Sequence, residues 1–287
     1  MIGRQHHGTR LGVGESRTTM VGLGIAAWVV GMLWIFPIGW TLLTSFKTEQ
    51  DASAQTFHDP FTVARYSDVS HSTTGTLSLS TAFTNSLVVV LVSTTIVMLL
   101  ALPAAYALAI RPVHKWKDVL FFFISTKFLP IVASIFPIYV YAEKWNLIGT
   151  RTILIILYTA INLPLAIWML RSFFIEVPRE LIEAAEIDGT SLFNQLRSVI
   201  LPIAAPGIAA TALLCVIFAW NEYFYAIQLN FAGASTMPQW VIGNVSTRGN
   251  FLAKLSAASI IACIPVVLAG WLAQKKMIRG LSMGAIK

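Results

Sequence analysis

Two ionisable side chains stand inside otherwise apolar stretches, Lys127 in "FFFISTKFLP" and Glu222 in "FAWNEYFYAIQL". A charge in the middle of a bilayer costs about 2.5–3.5 kcal/mol even on insertion scales, so each must face protein or water. Asn221, Tyr225 and Gln228 share the Glu222 segment. Amides, a phenol and a carboxylate gathered there suit hydrogen bonds to solute hydroxyls, and aromatic faces suit sugar rings. The same groups suit a structural tie between helices, so two readings compete: a lined translocation pathway and a helix-pairing contact. Lys127 and Glu222 could also pair with each other, although the rise along their helices sets them at depths differing by roughly 8 Å.

The other concentration of polar chemistry is "EAAEIDGTSLFNQLRSVILP", Glu183 to Pro202, with Glu183, Glu186 and Asp188 at its start and Arg197 as its single base. No nucleophile–base pair accompanies these acids, so the chain is not expected to be an enzyme. No G-x-x-x-x-G-K-[ST] phosphate loop occurs anywhere, so any ATP must be bound by another subunit. The five histidines (His6, His7, His58, His71, His114) are scattered, and Cys215 and Cys263 lie in apolar runs as space-fillers. No metal or other cofactor is expected on this chain.

The elements that must position these residues follow from composition. The chain has 287 residues, of which 56% are hydrophobic and 11% charged. Its mean hydropathy is +0.72. A soluble domain carries about 25% charged residues. This is therefore a polytopic membrane protein, and the all-α class follows because lipid leaves backbone groups no other partner. A net charge of +7 does not imply nucleic acid, since the bases are spread over loops and tails with no basic, aromatic-laced face.

A helix needs about 20 apolar residues to cross the bilayer. Six segments qualify, at 20–45, 81–110, 119–142, 152–174, 206–230 and 256–274, interrupted by Pro37, Pro103, Pro130, Pro137, Pro164 and Pro265. One side then receives the Lys and Arg residues of the N-terminal tail, of 111–117, of 171–197 and of the C-terminal tail, thirteen in all, and the other side six. The excess puts both termini in the cytoplasm. The expected organisation is a tail at 1–19, a six-helix domain at 20–274 and a second tail at 275–287. The acidic loop, within 176–205, is cytoplasmic.

That loop reads as two short helices about a turn. Pro178 suits a first helical turn, and Glu180 sits near the positive end of the helix dipole. Leu181, Ala184 and Ala185 share one side, where small residues admit a close partner. Gly189 is placed to end the helix in a left-handed conformation. Ser191 caps a second helix through Phe193, Leu196 and Ile200, closed by Leu201-Pro202 before the fifth span. A plain amphipathic linker on the membrane surface is the alternative, but interfacial helices usually carry Lys and Arg. An acidic helix is better explained by docking into a protein.

"EAAEIDG" followed after nine residues by "VILP" resembles the EAA loop of permease subunits of bacterial binding-protein-dependent ABC importers. The pattern E-A-A, three residues, G, nine residues, I-x-L-P is met at Glu183, Ala184, Ala185, Gly189, Leu201 and Pro202, with Val199 in place of Ile. "NSLVVV" at Asn85, "AAYALA" at Ala104, "FAWNEYFYAIQL", "AKLSAAS" and the ending "QKKMIRGLSMGAIK" are similar to MalG-like permeases of carbohydrate importers. The resemblance covers roughly residues 20–287, and the closing segments are most similar to polyol and trehalose-type systems.

The resemblance implies a type I ABC importer permease in the bacterial plasma (inner) membrane. It implies a homologous second permease as heterodimer partner and a cytoplasmic ABC ATPase dimer carrying ATP and Mg. An extracytoplasmic solute-binding protein and membrane lipid complete the partners. The EAA loop would be the coupling helix, with Glu183 as polar contact, Ala184 and Ala185 as close-packed faces, Asp188 beside them and Gly189 as the turn. Gly189→Asp or a bulky Ala185 should spare insertion and abolish transport. Asn221-Glu222 recurs in relatives with different sugars, which favours a structural or gating role for it. Tyr66, Phe57 and Trp240 on the outer loops suit binding-protein contacts or loop anchors. The rival readings are a secondary transporter driven by an ion gradient and an ABC permease for a non-carbohydrate solute.

Overall fold

The computed structural model describes residues 17–71, 78–111, 113–230, 233–244 and 251–284, and no strand occurs among them. The chain opens with α1, Arg17–Thr44, which carries Pro37 inside it. A short outer segment follows, α2 (Glu49–Ala54) and α3 (Ala64–His71). Then comes α4, Leu79–Ala109, begun by Ser78, whose side chain accepts the Thr81 N–H at 3.2 Å. Capping of this kind satisfies one of the orphan donors of a helix start.

The third apolar segment is not one straight span. It consists of α5 (Trp116–Ser125), a 3₁₀ turn at Thr126–Phe128 and α6 (Ile131–Lys144). The two parts meet at 91°. Pro130 begins α6 in an extended conformation, with φ −60° and ψ 120°. It also disfavours helical backbone at Leu129, whose ψ is 129°. Pro37, Pro103, Pro137, Pro164 and Pro265 stay inside their helices.

Then follow α7 (Arg151–Ile175), α8 (Arg179–Ile187) and α9 (Leu192–Gln195). A π-turn at Leu196–Ile200 leads without a break into α10, Leu201–Trp220. Leu201-Pro202 therefore does not close the second helix of the acidic loop. Pro202 can lie in the first turn of α10 because its missing N–H matters least there, and the π-turn absorbs the changed hydrogen-bond register.

The fifth span ends at Trp220, short of the expected 230, and a separate α11 (Phe224–Leu229) follows. The last elements are α12 (Met237–Gly243) and α13 (Leu252–Gly284). Residues 275–284 continue α13 as helix, and 285–287 lie outside the described residues, as does most of the N-terminal tail. Among the described residues, five helices are long and apolar enough to span a membrane, six when the bent pair counts as one span.

α4 and α7 form the centre, packed along their length. Ala101, Ala105 and Ala166 are fully buried between them, small residues that let backbones approach where lipid supplies no hydrophobic drive. Two clusters result. The outer one gathers Val89, Leu154, Tyr158, Leu229, Met237 and Trp240; the cytoplasmic one gathers Val97, Ile167, Leu170, Phe174, Ile182 and Ile200. α10 packs on α13, α7 and α4. Its approach to α7 needs Gly207, where a Cβ would stand 2.2 Å from the Phe173 ring. α1 touches α13 and is exposed along the rest of its length.

Polar side chains lock the outer end. Asn85 of α4 donates to the Ser235 carbonyl at 2.9 Å and accepts from Arg151 Nε at 2.8 Å. Ser86 Oγ accepts from the Met237 N–H at 2.7 Å. Glu49 accepts the Ala253 and Lys254 N–H groups at 3.0 and 2.8 Å, so a carboxylate from α2 sits on the positive end of α13. Asp51 organises the loop after α2, accepting from Thr56 Oγ1, His58 N and Asp59 N.

Candidate functional site: the acidic loop and the polar break

The acidic loop has the expected helix–turn–helix form. Pro178 precedes α8 and Glu180 lies in its first turn. Asp188 caps the C-terminus, and Gly189 adopts φ +69°. Nothing lies within 4 Å of a Cβ added to Gly189, so its glycine is required by backbone conformation and not by space. Thr190 returns two bonds to the Ala185 carbonyl, from N at 3.1 Å and Oγ1 at 2.6 Å. Ser191 then accepts the Asn194 N–H at 3.4 Å to start α9.

The two alanines separate. Ala185 is 8% exposed and faces the chain's own core with Ile182, whereas Ala184 is exposed beside Glu183. The face presented outward is Leu181, Ile187, Leu192 and Phe193 together with Glu183, Glu186 and Asp188. Ile187, at 87% exposed, is the most open large apolar side chain of the molecule's described residues. Beside α8 a cleft of about 310 Å³ is lined by Ala109, Ile110, Val177, Ile182, Glu183 and Glu186.

Three residues that sequence reasoning missed hold this loop to α4. Gln195 is 1% exposed. Its Oε1 accepts from Tyr106 OH, and its Nε2 donates to the Ile182 carbonyl at 3.2 Å. Arg111 forms an ion pair with Glu186 at 2.6 Å. The sequence signal was a tyrosine in an apolar run and a glutamine in a loop, neither distinctive without coordinates.

The membrane-embedded candidates do not form one cluster of paired charges. Lys127 lies in the 3₁₀ turn at the break, exposed, with Nζ donating to the Ile161 carbonyl at 2.5 Å. Glu222 lies past the end of α10. Its Oε1 accepts the Tyr225 N–H at 3.0 Å, starting α11, and its Oε2 is buried without a hydrogen-bond partner. Lys127 and Glu222 are not bonded to each other. Both nevertheless touch α7 within one turn, because Tyr158 OH donates to the Glu222 carbonyl at 3.1 Å.

Asn162, buried at 2%, follows one turn after Tyr158 and donates to its carbonyl at 3.0 Å. Tyr225 is buried, and its hydroxyl shares a 2.8 Å hydrogen bond with Ser134 of α6. Asn221 bonds back to the Ile217 carbonyl and borders a cavity of about 390 Å³ with Trp220, Tyr223 and Cys263. Gln228 is exposed. Tyr158, Asn162 and Ser134 had a readable signal, a polar atom within an apolar run.

Of the outer aromatics, Trp240 is fully buried and anchors α12. Tyr66 bonds Ser45 and packs on Phe46. Phe57 covers Lys47, whose Nζ lies 3.4 Å from the ring centroid. These are loop anchors by their contacts. Cys215 is buried and Cys263 exposed, and both are free.

The comparisons with known proteins agree with this layout. A family model described as "Binding-protein-dependent transport system inner membrane component" matches residues 101–277. The probable ABC transporter permease protein y4oR of Sinorhizobium fredii is 31% identical over 275 residues, 95% of this chain and 98% of that protein. The sulfoquinovosyl glycerol transport system permease protein SmoH of Agrobacterium fabrum is 32% identical over 271 residues, 92% of each. The trehalose/maltose transport system permease protein MalG of Thermococcus litoralis is 29% identical over 92% of this chain and 95% of its own length. Among solved structures, a chain of a bacterial ABC transporter that imports the acidic polysaccharide alginate superposes with a TM-score of 0.69 at 21% identity. That match covers 91% of this chain and 98% of the other and shows a shared ABC-importer permease fold. The helical spans, the turn at Gly189 and these matches together make this chain a member of the binding-protein-dependent transport system inner membrane component family.

Proposed function

We propose that this chain is a permease subunit of a bacterial ABC importer for a carbohydrate, a sugar or polyol, working in the inner membrane with a homologous second permease. An ATPase dimer binds and hydrolyses ATP with Mg, and an extracytoplasmic binding protein delivers the solute. One observation carries the reading. A helix–turn–helix bearing four acids and four exposed apolar side chains stands on the side richest in Lys and Arg, in a chain with no phosphate loop of its own. Such a surface suits a protein partner and not a lipid headgroup layer. The carbohydrate class is supported by relatives named for sulfoquinovosyl glycerol, for trehalose and maltose, and for melibiose, raffinose and stachyose.

By residue, Glu183, Ala184, Asp188 and Gly189 form the docking turn for the ATPase, Ala185 seats α8 on the core, and Leu201 and Pro202 begin the span it drives. Lys127, Asn221, Glu222, Tyr225 and Gln228 belong to the region around the bent third span, where Glu222 and Tyr225 have structural contacts and Lys127, exposed at the break and bonded to the Ile161 carbonyl, is the pathway candidate. ATP-driven closure of the ATPase would move α8, and a packed bundle with two arrangements would convert that motion into alternating access.

The test is affinity purification of the chain with its gene neighbours, followed by calorimetry of the cognate binding protein against sugars, polyols, amino acids and inorganic ions. A stoichiometric ATPase and a sugar or polyol as ligand are expected. Purification without ATPase would overturn the importer reading, and an amino acid or ion as ligand would overturn the carbohydrate class.

A further inference from the structure

The cytoplasmic loop is covalently continuous with α10, yet the junction is the softest helical stretch in the region. The π-turn at Leu196–Ile200 bonds Leu201 N to the Leu196 carbonyl, five residues back, and Pro202 offers no N–H. Helices bend where the i→i−4 ladder is interrupted in this way. Against α4, which is remote in sequence, the loop is held by side chains. Gln195 uses both ends of its amide, one on Tyr106 of α4 and one on the Ile182 carbonyl in the middle of α8. One buried side chain therefore joins α4, α8 and α9. A satisfied polar contact in a dry site is stiff, because losing it leaves buried donors and acceptors unpaired. The Arg111–Glu186 pair adds a second contact, but its side chains are 49% and 45% exposed and pairs of that kind contribute little.

We propose that Gln195 is a positioning residue, the pin that makes the coupling loop move as one body with α4, while the π-turn flexes toward α10. The inference rests on the loop being the ATPase docking element. It adds which span receives the motion first and through which side chain.

Distances between spin labels in the assembled transporter test it, in a Cys263→Ser background. Labels go on exposed sites outside the docking turn: Glu180→Cys on α8, Leu99→Cys on α4 and Phe218→Cys on α10. Each pair is measured without nucleotide and with ATP and vanadate trapped. In the parent, the 180–99 distance should stay constant between the two states and the 180–218 distance should shift. Tyr106→Phe, which keeps the ring and removes only the hydroxyl, and Gln195→Leu should each make the 180–99 distance shift on trapping and lower uptake per ATP by about fivefold or more. The paired variant should be no worse than Gln195→Leu alone, since that substitution already removes the bond to Tyr106 along with the one to the Ile182 carbonyl. A 180–99 distance that shifts in the parent, or that stays fixed in both variants, overturns the pin. An assembly that holds no ATPase and traps no nucleotide overturns instead the docking role on which the pin depends.

Discussion

At the residue scale, Gly189 and Ala185 fail for different reasons when replaced. Gly189 has open space around it but φ +69°, a backbone that costs about 1–2 kcal/mol for an ordinary L residue. A β-branched residue tolerates that region worst, so Gly189→Val, like Gly189→Asp, should abolish uptake at parental abundance in the membrane fraction, and Gly189→Asn should be the mildest replacement. Ala185 has no room, being sealed against the core. Ala185→Phe should tilt α8 and abolish uptake while the protein still inserts, as its retention in alkali-washed membranes would check. Outside the membrane, Asp51 shows a different sensitivity. Its hydrogen bonds from Thr56, Asp59 and His58 hold its carboxyl below the ordinary value of 3.8. A depressed folded-state value means that the stabilisation is present above 3.8 and lost as pH falls from there through the folded value. Amide protection at His58 and Asp59 should accordingly be flat from neutral pH down to that point and collapse below it, and Asp51→Asn should remove it at every pH.

At the element scale, the close approach of α10 to α7 depends on Gly207. Adding a single methyl there meets the root of the Phe173 ring at 2.2 Å, which cannot swing clear as a chain end would. Overpacking of this kind costs about 1–3 kcal/mol, so Gly207→Ala should lower the melting temperature of the purified assembly and Phe173→Leu should recover part of the loss. Much of this level was legible in the sequence. Apolar runs fixed where helices lie, Gly189 gave the turn, and Ser191 gave the second start. What sequence could not show was which proline breaks a helix. Pro103, exposed, and Pro164, buried, both stay inside α4 and α7, whereas Pro130 ends up at a 91° corner. The expected fifth span likewise runs past Glu222 to 230, since aromatic and aliphatic residues resume after Asn221-Glu222 in "FAWNEYFYAIQL", while its helix stops at Trp220. The Gln195–Tyr106 bond spans 89 positions and has no local signature.

At the scale of the whole molecule, α1 is almost unburied within the chain and α13 is buried over only a small part of its length. A bundle this open leaves its apolar faces to lipid or to other subunits. Expressed alone and reconstituted, the chain should show no ATP-dependent uptake, and adding the second permease, the ATPase and the binding protein together should restore it; uptake by the isolated chain would contradict the subunit reading.

The carboxylate of Glu49 resting on the start of α13 has a consequence for biosynthesis. The bonded partners lie 204 and 205 positions apart, and α1 likewise finds its main contact in α13. A chain emerging from the ribosome N-terminus first therefore makes its opening helix and outer hairpin long before their resting place exists. Those parts must wait in the insertion machinery or in lipid until the last helix arrives. Truncation before Leu252 should leave a product whose first span inserts normally and whose outer segment is cut rapidly by protease, a defect in timing that no contact within the N-terminal half could repair.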